Sequence, residues 1–155
     1  KKEPIMVTDK VVATLKAQLT GRFDEFERLL GELNESEAGK GLTTLVNAAF
    51  YEATQRRFMK EDKPASDAEV IEFVATTREK YEEVADSIDP DLAERLINYA
   101  LEKLPPEANR DVDRNAAFQT QHLLMLSMVT EAGYDDERVA EFLQQARETA
   151  EEMLS

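Results

Sequence analysis

One stretch of sixteen residues, NAAFQTQHLLMLSMVT at positions 115–130, contains no aspartate, glutamate, lysine or arginine. Charged residues make up 34% of the whole chain, so this segment differs sharply from its surroundings. On a helical wheel its apolar side chains cover nearly the full circumference, and a helix of that kind in a soluble protein is enclosed by other helices. The segment therefore predicts a helical bundle with a central apolar helix over approximately residues 111–132.

In the first part of the chain, apolar residues recur every seven positions. Apolar residues recur at this interval between Thr8 and about Leu33, which predicts one long helix that is bent at Gly21. Because such a stripe is suited to pairing with another helix, we interpret its members as a candidate interface. These members are Val12, Leu19, Phe26 and Leu33.

The rest of the chain shows helical spacing of apolar residues throughout, without the alternation of period two that is typical of strands. The stretch NESEAGKG at positions 34–41 predicts a loop. An S-x-x-E capping box at Ser66 and the pair Asp89-Pro90 predict two helix starts. We expect an all-α, single-domain bundle of about six helices over residues 1–155, with residues 1–7 irregular.

The composition restricts chemistry and location. The absence of cysteine rules out thiol catalysis, disulfides and thiolate zinc sites. No apolar run approaches the length that a membrane-spanning helix needs, and the N-terminal residues lack an apolar stretch of signal-peptide length. The sequence thus predicts a soluble, cytoplasmic protein.

The net charge of −14 is unevenly distributed. Residues 1–63 contain 11 basic and 11 acidic side chains, whereas residues 64–155 contain 8 and 22. Nucleic acids and anionic membranes are bound by cationic patches, and an acidic surface repels them. We therefore expect no nucleic acid and no membrane as partners, and an acidic second part suits a basic protein surface better.

The only histidine, His122, lies in the uncharged segment beside Phe118 on the helical wheel. One interpretation is a polar group in an apolar cavity, where it orients a ligand. The other, which we favour, is a core histidine with a hydrogen-bond partner, as buried polar groups normally have. If His122 is buried, desolvation predicts a lowered pKa and a neutral imidazole at pH 7.

Motifs for metal binding and catalysis are missing. A carboxylate-bundle metal site needs Glu-x-x-His on two helices, but the residue three before His122 is Gln119. Residues 111–115 begin like a calcium loop, yet Ala116 stands where that loop requires glycine. No serine or threonine lies in a sequence pattern that indicates an oriented base. We expect neither a metal nor a cofactor, and we expect that the protein is not an enzyme.

Two functional hypotheses remain. The first is a non-enzymatic helical interaction or regulatory domain that associates with itself, as a homodimer, or with another protein. The alternative is a small-molecule binding domain with an apolar cavity lined by the second and fifth predicted helices, at about residues 42–59 and 111–132. Its polar groups would be His122, Gln119 and Asn47, and its walls Phe50 and Phe118.

Overall fold

The computed structural model describes residues 7–154, apart from the side chains of residues 84, 85 and 87. The fold is all-α: 79% of the described residues are helical, in seven α-helices and short 3₁₀ and π turns. This confirms the predicted fold class. The prediction of irregular structure for residues 1–7 lies outside the described residues except at Val7, which is fully buried.

The helices follow one another with short connections. They are α1 (Asp9–Leu19), α2 (Phe23–Glu32), α3 (Leu42–Phe58), α4 (Asp67–Lys80), α5 (Pro90–Ala100), α6 (Arg114–Ala132) and α7 (Asp136–Leu154). Two short strands, β1 (Met59–Lys60) and β2 (Lys63–Pro64), form an antiparallel hairpin between α3 and α4. Glu61 and Asp62 at its tip have positive φ angles, as in tight hairpin turns. The strands are too short to show the alternation of apolar and polar residues that predicts a strand from sequence. None of the helices within residues 7–154 has the length and apolar composition required of a membrane span.

The single long helix predicted from Thr8 to Leu33 is wrong. Helix α1 ends at Leu19, and α2 begins at Phe23 after a turn in which Gly21 has φ +76°. Residues with a Cβ are strained at this φ, so glycine allows the chain to change direction here. Helices α1 and α2 then contact each other as separate helices. The repeat of seven is therefore divided between two helices instead of forming one continuous stripe.

The loop predicted for residues 34–41 is also wrong, because most of it is helical. The Asn34 side chain accepts a hydrogen bond from the Glu37 backbone N–H (2.8 Å), and the Glu37 carboxylate accepts one from the Asn34 N–H (3.0 Å). This reciprocal capping starts a helical turn, and a π turn at Glu37–Gly41 leads directly into α3.

The chain divides into two compact units. The first comprises Lys1–Glu52 together with Val129–Ser155, and the second comprises Ala53–Met128. Helices α3 and α6 each contribute residues to both units. The single domain predicted from the sequence stays a prediction.

In the first unit, α1 and α7 contact each other along buried aliphatic and aromatic side chains. Arg147 of α7 joins them at the edge of this contact, where its guanidinium donates to the Asp9 carboxylate (2.7 Å) and to the Val7 carbonyl (2.9 Å). The largest fully buried side chains of this unit are Phe142, Leu15, Leu45 and Leu143. Such residues provide most of the hydrophobic stabilisation of a helical unit.

In the second unit, aromatic and polar pairs accompany the aliphatic core. Phe58 and Phe73 meet edge to face, with ring centroids 5.4 Å apart. The hydroxyls of Thr77 on α4 and Ser127 on α6 are hydrogen-bonded at 3.0 Å, and both residues are buried. Ser127, which interrupts the longest apolar run of the sequence, is thus satisfied by a neighbouring helix.

Helix α6 begins three residues later than predicted, where the Asp113 carboxylate accepts a hydrogen bond from the Ala116 N–H (3.3 Å). Within residues 116–129, six residues of this helix are buried and seven are half-buried. Among residues 116–129 only Gln119 is exposed. The buried residues are Thr120, Leu124, Met125, Ser127, Met128 and Val129.

Candidate functional site

Helix α2 separates apolar from charged side chains with full helical regularity. At 100° per residue its apolar positions fall within an arc of about 120°, and the remaining arc carries four acids, one arginine and a glycine. The spacing of three and four residues between phenylalanines and leucines produces this division. We call the apolar arc the α2 face. It consists of Phe23, Phe26, Leu29 and Leu30, and is continued by Leu33.

The structure covers only one edge of the α2 face. No residue of α2 is fully buried, and Leu29 is half-buried on the side where Glu32 pairs with Lys10 of α1 (Oε1 to Nζ 3.8 Å). At the opposite edge, 63% of Phe23 and 37% of Leu30 are exposed. Helix α1 therefore lies against the Leu29 edge, and the Phe23 edge is open.

Two contacts hold the ends of α2 in place, and the first is at its N-terminus. The Arg22 guanidinium donates to the carboxylate of Asp136, at the start of α7, over 2.6 Å. This hydrogen bond and the accompanying charge raise the pKa of Arg22, and the same hydrogen bond lowers the pKa of Asp136. Both side chains are exposed, so the pair orients the helix more than it stabilises the fold. A shallow groove of about 370 Å³ lies beside it.

The second contact follows the C-terminal end of α2. Thr8, the N-cap of α1, accepts a hydrogen bond from the Val11 N–H (3.3 Å) and donates its hydroxyl proton to the Glu37 carboxylate (2.5 Å). The Thr8 hydroxyl and, next in size, the Asn34 N–H lower the pKa of Glu37. This contact connects the start of α1 to the π turn that follows α2.

The other exposed large apolar side chains of the described residues, each on a different helix, are Tyr51, Ile71, Tyr99 and Met153. Phe23 and Leu30 differ because they share one face of one helix and adjoin three half-buried apolar residues. Scattered exposed apolar residues are ordinary, whereas a contiguous apolar patch with a polar rim is typical of an interaction site.

The predicted interface residues are distributed over two helices. Val12 and Leu19 belong to α1, Phe26 belongs to α2, and Leu33 follows it; all four are half-buried. The predicted use of these residues as an interface stays a prediction. Phe23 and Leu30, which are the most exposed members of the α2 face, were not predicted. A helical wheel for residues 23–33 alone, with Gly21 as the helix boundary, places both of them on one apolar face.

The residues proposed for a small-molecule site are found in both units. In the second unit, His122 is half-buried and its ring centroid lies 5.8 Å from that of Phe118. Burial lowers the pKa of His122, in the predicted direction. Gln119 is exposed. In the first unit, Asn47 is half-buried and Phe50 is buried. A ligand site built from these five residues stays a prediction.

Within the part of the chain that the structure describes, no group of three or more histidine, aspartate or glutamate side chains is arranged to hold a metal ion. A surface depression of about 430 Å³ after α4 is lined by Glu79, Lys80, Tyr81, Glu82 and Glu83. These residues are consecutive in sequence.

Comparisons with protein-family models, with curated proteins and with solved structures found no match to this chain.

Proposed function

We propose that this chain is a non-enzymatic helical interaction domain and that the α2 face is its docking surface. The observation that supports this proposal is the exposure of Phe23 beside Leu30 on a helix whose other side is charged. Each Å² of apolar surface removed from water contributes about 25 cal/mol, so covering the open edge is favourable. Aromatic residues are also the side chains most enriched in protein interfaces.

The shape of the surface favours a helical partner. The α2 face is a narrow stripe about 15 Å long, given ten residues at about 1.5 Å each. A second amphipathic helix can pack against such a stripe with its own residues at spacings of three and four. That helix can belong to a second copy of this chain or to another protein, and both are included in the proposal.

Site-specific photo-crosslinking tests this function. Phe23→p-benzoylphenylalanine places a photoreactive ring at the open edge, and the labelled protein is irradiated in the cell that produces it. We expect a discrete adduct with one protein, because a docked helix would cover this ring. An adduct of twice the mass of the chain would indicate self-association.

The matched control places the same group at Ile71, which is 50% exposed on α4. We expect no corresponding adduct there, and we expect Leu30→Ser to abolish the adduct formed from position 23. The same adducts from positions 23 and 71, or none from either, would refute the proposed function.

A further inference from the structure

The charges around the α2 face are unbalanced. The helix carries four acidic side chains and one basic side chain, Arg28. Arg28 pairs with Glu32 (2.9 Å) and lies 3.9 Å from Glu25, on the side of the helix away from Phe23. The only cation of α2 is therefore already engaged with two of its acids.

The two remaining acids lie on the open side of the α2 face. On the helical wheel Glu27 is about 40° from Phe23 and borders the open edge, and Asp24 is about 100° from Phe23, farther along the same side. Both are exposed, and within residues 7–154 neither forms an ion pair. The open apolar edge is thus bordered by one solvated carboxylate, with a second beyond it and no cation between them.

We propose that the α2 face binds an amphipathic helix of another protein whose apolar stripe is flanked by lysine or arginine. This inference rests on the proposed function and identifies the partner's chemistry. The apolar stripe of the partner covers Phe23 and Leu30, and its basic flank lies against Glu27 and Asp24. Apolar burial supplies most of the affinity, while the charges set orientation and the rate of association.

A second copy of the chain fits this surface less well. In an antiparallel α2–α2 pair that covers Phe23 with Leu30 of the other copy, the centre of the contact lies near residues 26 and 27. The Glu27 carboxylates of the two copies would then lie close together, next to both Asp24 side chains. Like charges that face each other across an interface are unfavourable.

A membrane surface fits less well for a related reason. Helices that lie in a membrane interface carry lysine and arginine on the polar face, where they attract anionic headgroups. The polar face of α2 is predominantly acidic, so an anionic bilayer would repel this helix.

Three synthetic peptides of about 15 residues test the proposal, each long enough to span the α2 face. The first has leucines along one helical face and lysines on both flanks. The second has glutamates in place of the lysines, and the third has serines in place of the leucines. Fluorescence anisotropy at about 0.15 M salt, where distant charges are screened, measures the affinity of each peptide for the full chain.

We expect the leucine–lysine peptide to bind at least about tenfold more tightly than either of the other two. The double variant Phe23→Ser with Leu30→Ser should weaken its binding by at least about tenfold. Asp24→Asn with Glu27→Gln should weaken it by about threefold or more and reduce its dependence on salt. The matched control, Glu72→Gln with Glu79→Gln, removes the same charge from exposed positions on α4 and should leave the affinity unchanged.

Other outcomes would overturn the inference. Equal binding of the lysine and glutamate peptides, or an equal loss in the α2 and α4 charge variants, would show that the carboxylates beside Phe23 do not select the partner. A dimer in light scattering that Asp24→Asn with Glu27→Gln strengthens would identify a second copy as the occupant. Binding to uncharged lipid vesicles that Phe23→Ser abolishes would identify a membrane.

The two proposals fail differently. If crosslinking from position 23 yields a protein adduct but the lysine peptide has no advantage, the docking function stands and the basic partner is refuted. If position 23 yields no adduct, the function itself is refuted.

Discussion

Helices α2 and α6 place their apolar side chains in opposite surroundings. Helix α6 contains the uncharged segment of the chain, and six of its residues are fully buried. Half of the ten residues of α2 are charged, yet this helix exposes most of Phe23 and has no buried residue. The amount of apolar sequence in a helix therefore does not indicate which of its side chains remain in solvent. Coverage by neighbouring helices decides that.

The two helices should differ most in the stability that is lost when one leucine is replaced by alanine. Leu124→Ala on α6 removes a fully buried side chain and should lower the free energy of unfolding by about 2–5 kcal/mol. Leu30→Ala makes the same chemical change on α2, where the side chain is already partly solvated, and should cost less than about 1 kcal/mol. Urea denaturation of both variants measures these values, and similar losses would remove the contrast between the helices.

A second prediction concerns the buried hydroxyls that join α6 to α4. Ser127→Ala should cost about 1–2 kcal/mol, because it leaves the Thr77 hydroxyl buried without its partner. Thr77→Val removes the other partner. The double variant should cost less than the sum of the two single changes by about 1 kcal/mol. Strict additivity in a double-mutant cycle would show that this hydrogen bond does not contribute to α6 packing.

Third, a stabilising substitution should be available on the solvated side of α2. A Cβ at Gly31 would meet no heavy atom within 4 Å, and the residue is helical. Gly31→Ala should therefore raise the free energy of unfolding by about 0.5–1 kcal/mol. Gly133→Ala is the control: φ is +68° there, so alanine should destabilise the protein. A loss of stability from Gly31→Ala would contradict the open surroundings of α2.

The smallest expected effect is a dependence of stability on pH that comes from α6. Burial lowers the pKa of His122 from its ordinary value of 6.5, so below this pH the unfolded chain binds more protons than the native protein. The stabilising contribution is complete above pH 6.5 and is lost as the pH falls through the folded-state pKa. Between pH 7.5 and pH 5.5, the free energy of unfolding should decrease less for His122→Leu than for the parent protein. An equal decrease in both proteins would indicate that the imidazole is exposed to water.

Local signals predicted several helix boundaries correctly. The helix start predicted at Ser66 is confirmed at the start of α4, where the Ser66 hydroxyl accepts a hydrogen bond from the Glu69 N–H (3.2 Å). The Asp89 carboxylate caps α5 in the same way through the Asp91 N–H (2.9 Å). These predictions succeed because a cap depends on residues within one turn of each other.

Predictions that depended on longer-range structure were less accurate. The repeat of seven from Val12 to Leu33 is real, but the chain turns at Gly21, and an apolar period cannot report such a turn. Asn34 and Glu37 form a reciprocal cap within the stretch for which the sequence predicts a loop. For the candidate site, the wheel identifies an apolar face on α2 once the helix boundary is known. It does not identify which edge of that face remains exposed.

The amino-acid pattern alone predicts that this protein is helical, that its uncharged segment forms an apolar helix, and where the capped helices begin. Each of these properties follows from residues that are close together in the chain. In contrast, the packing of α1 against the Leu29 edge of α2 and the exposure of Phe23 are visible only in the folded protein. The reason is that burial depends on which helices pack together, and packing joins residues that are distant in sequence.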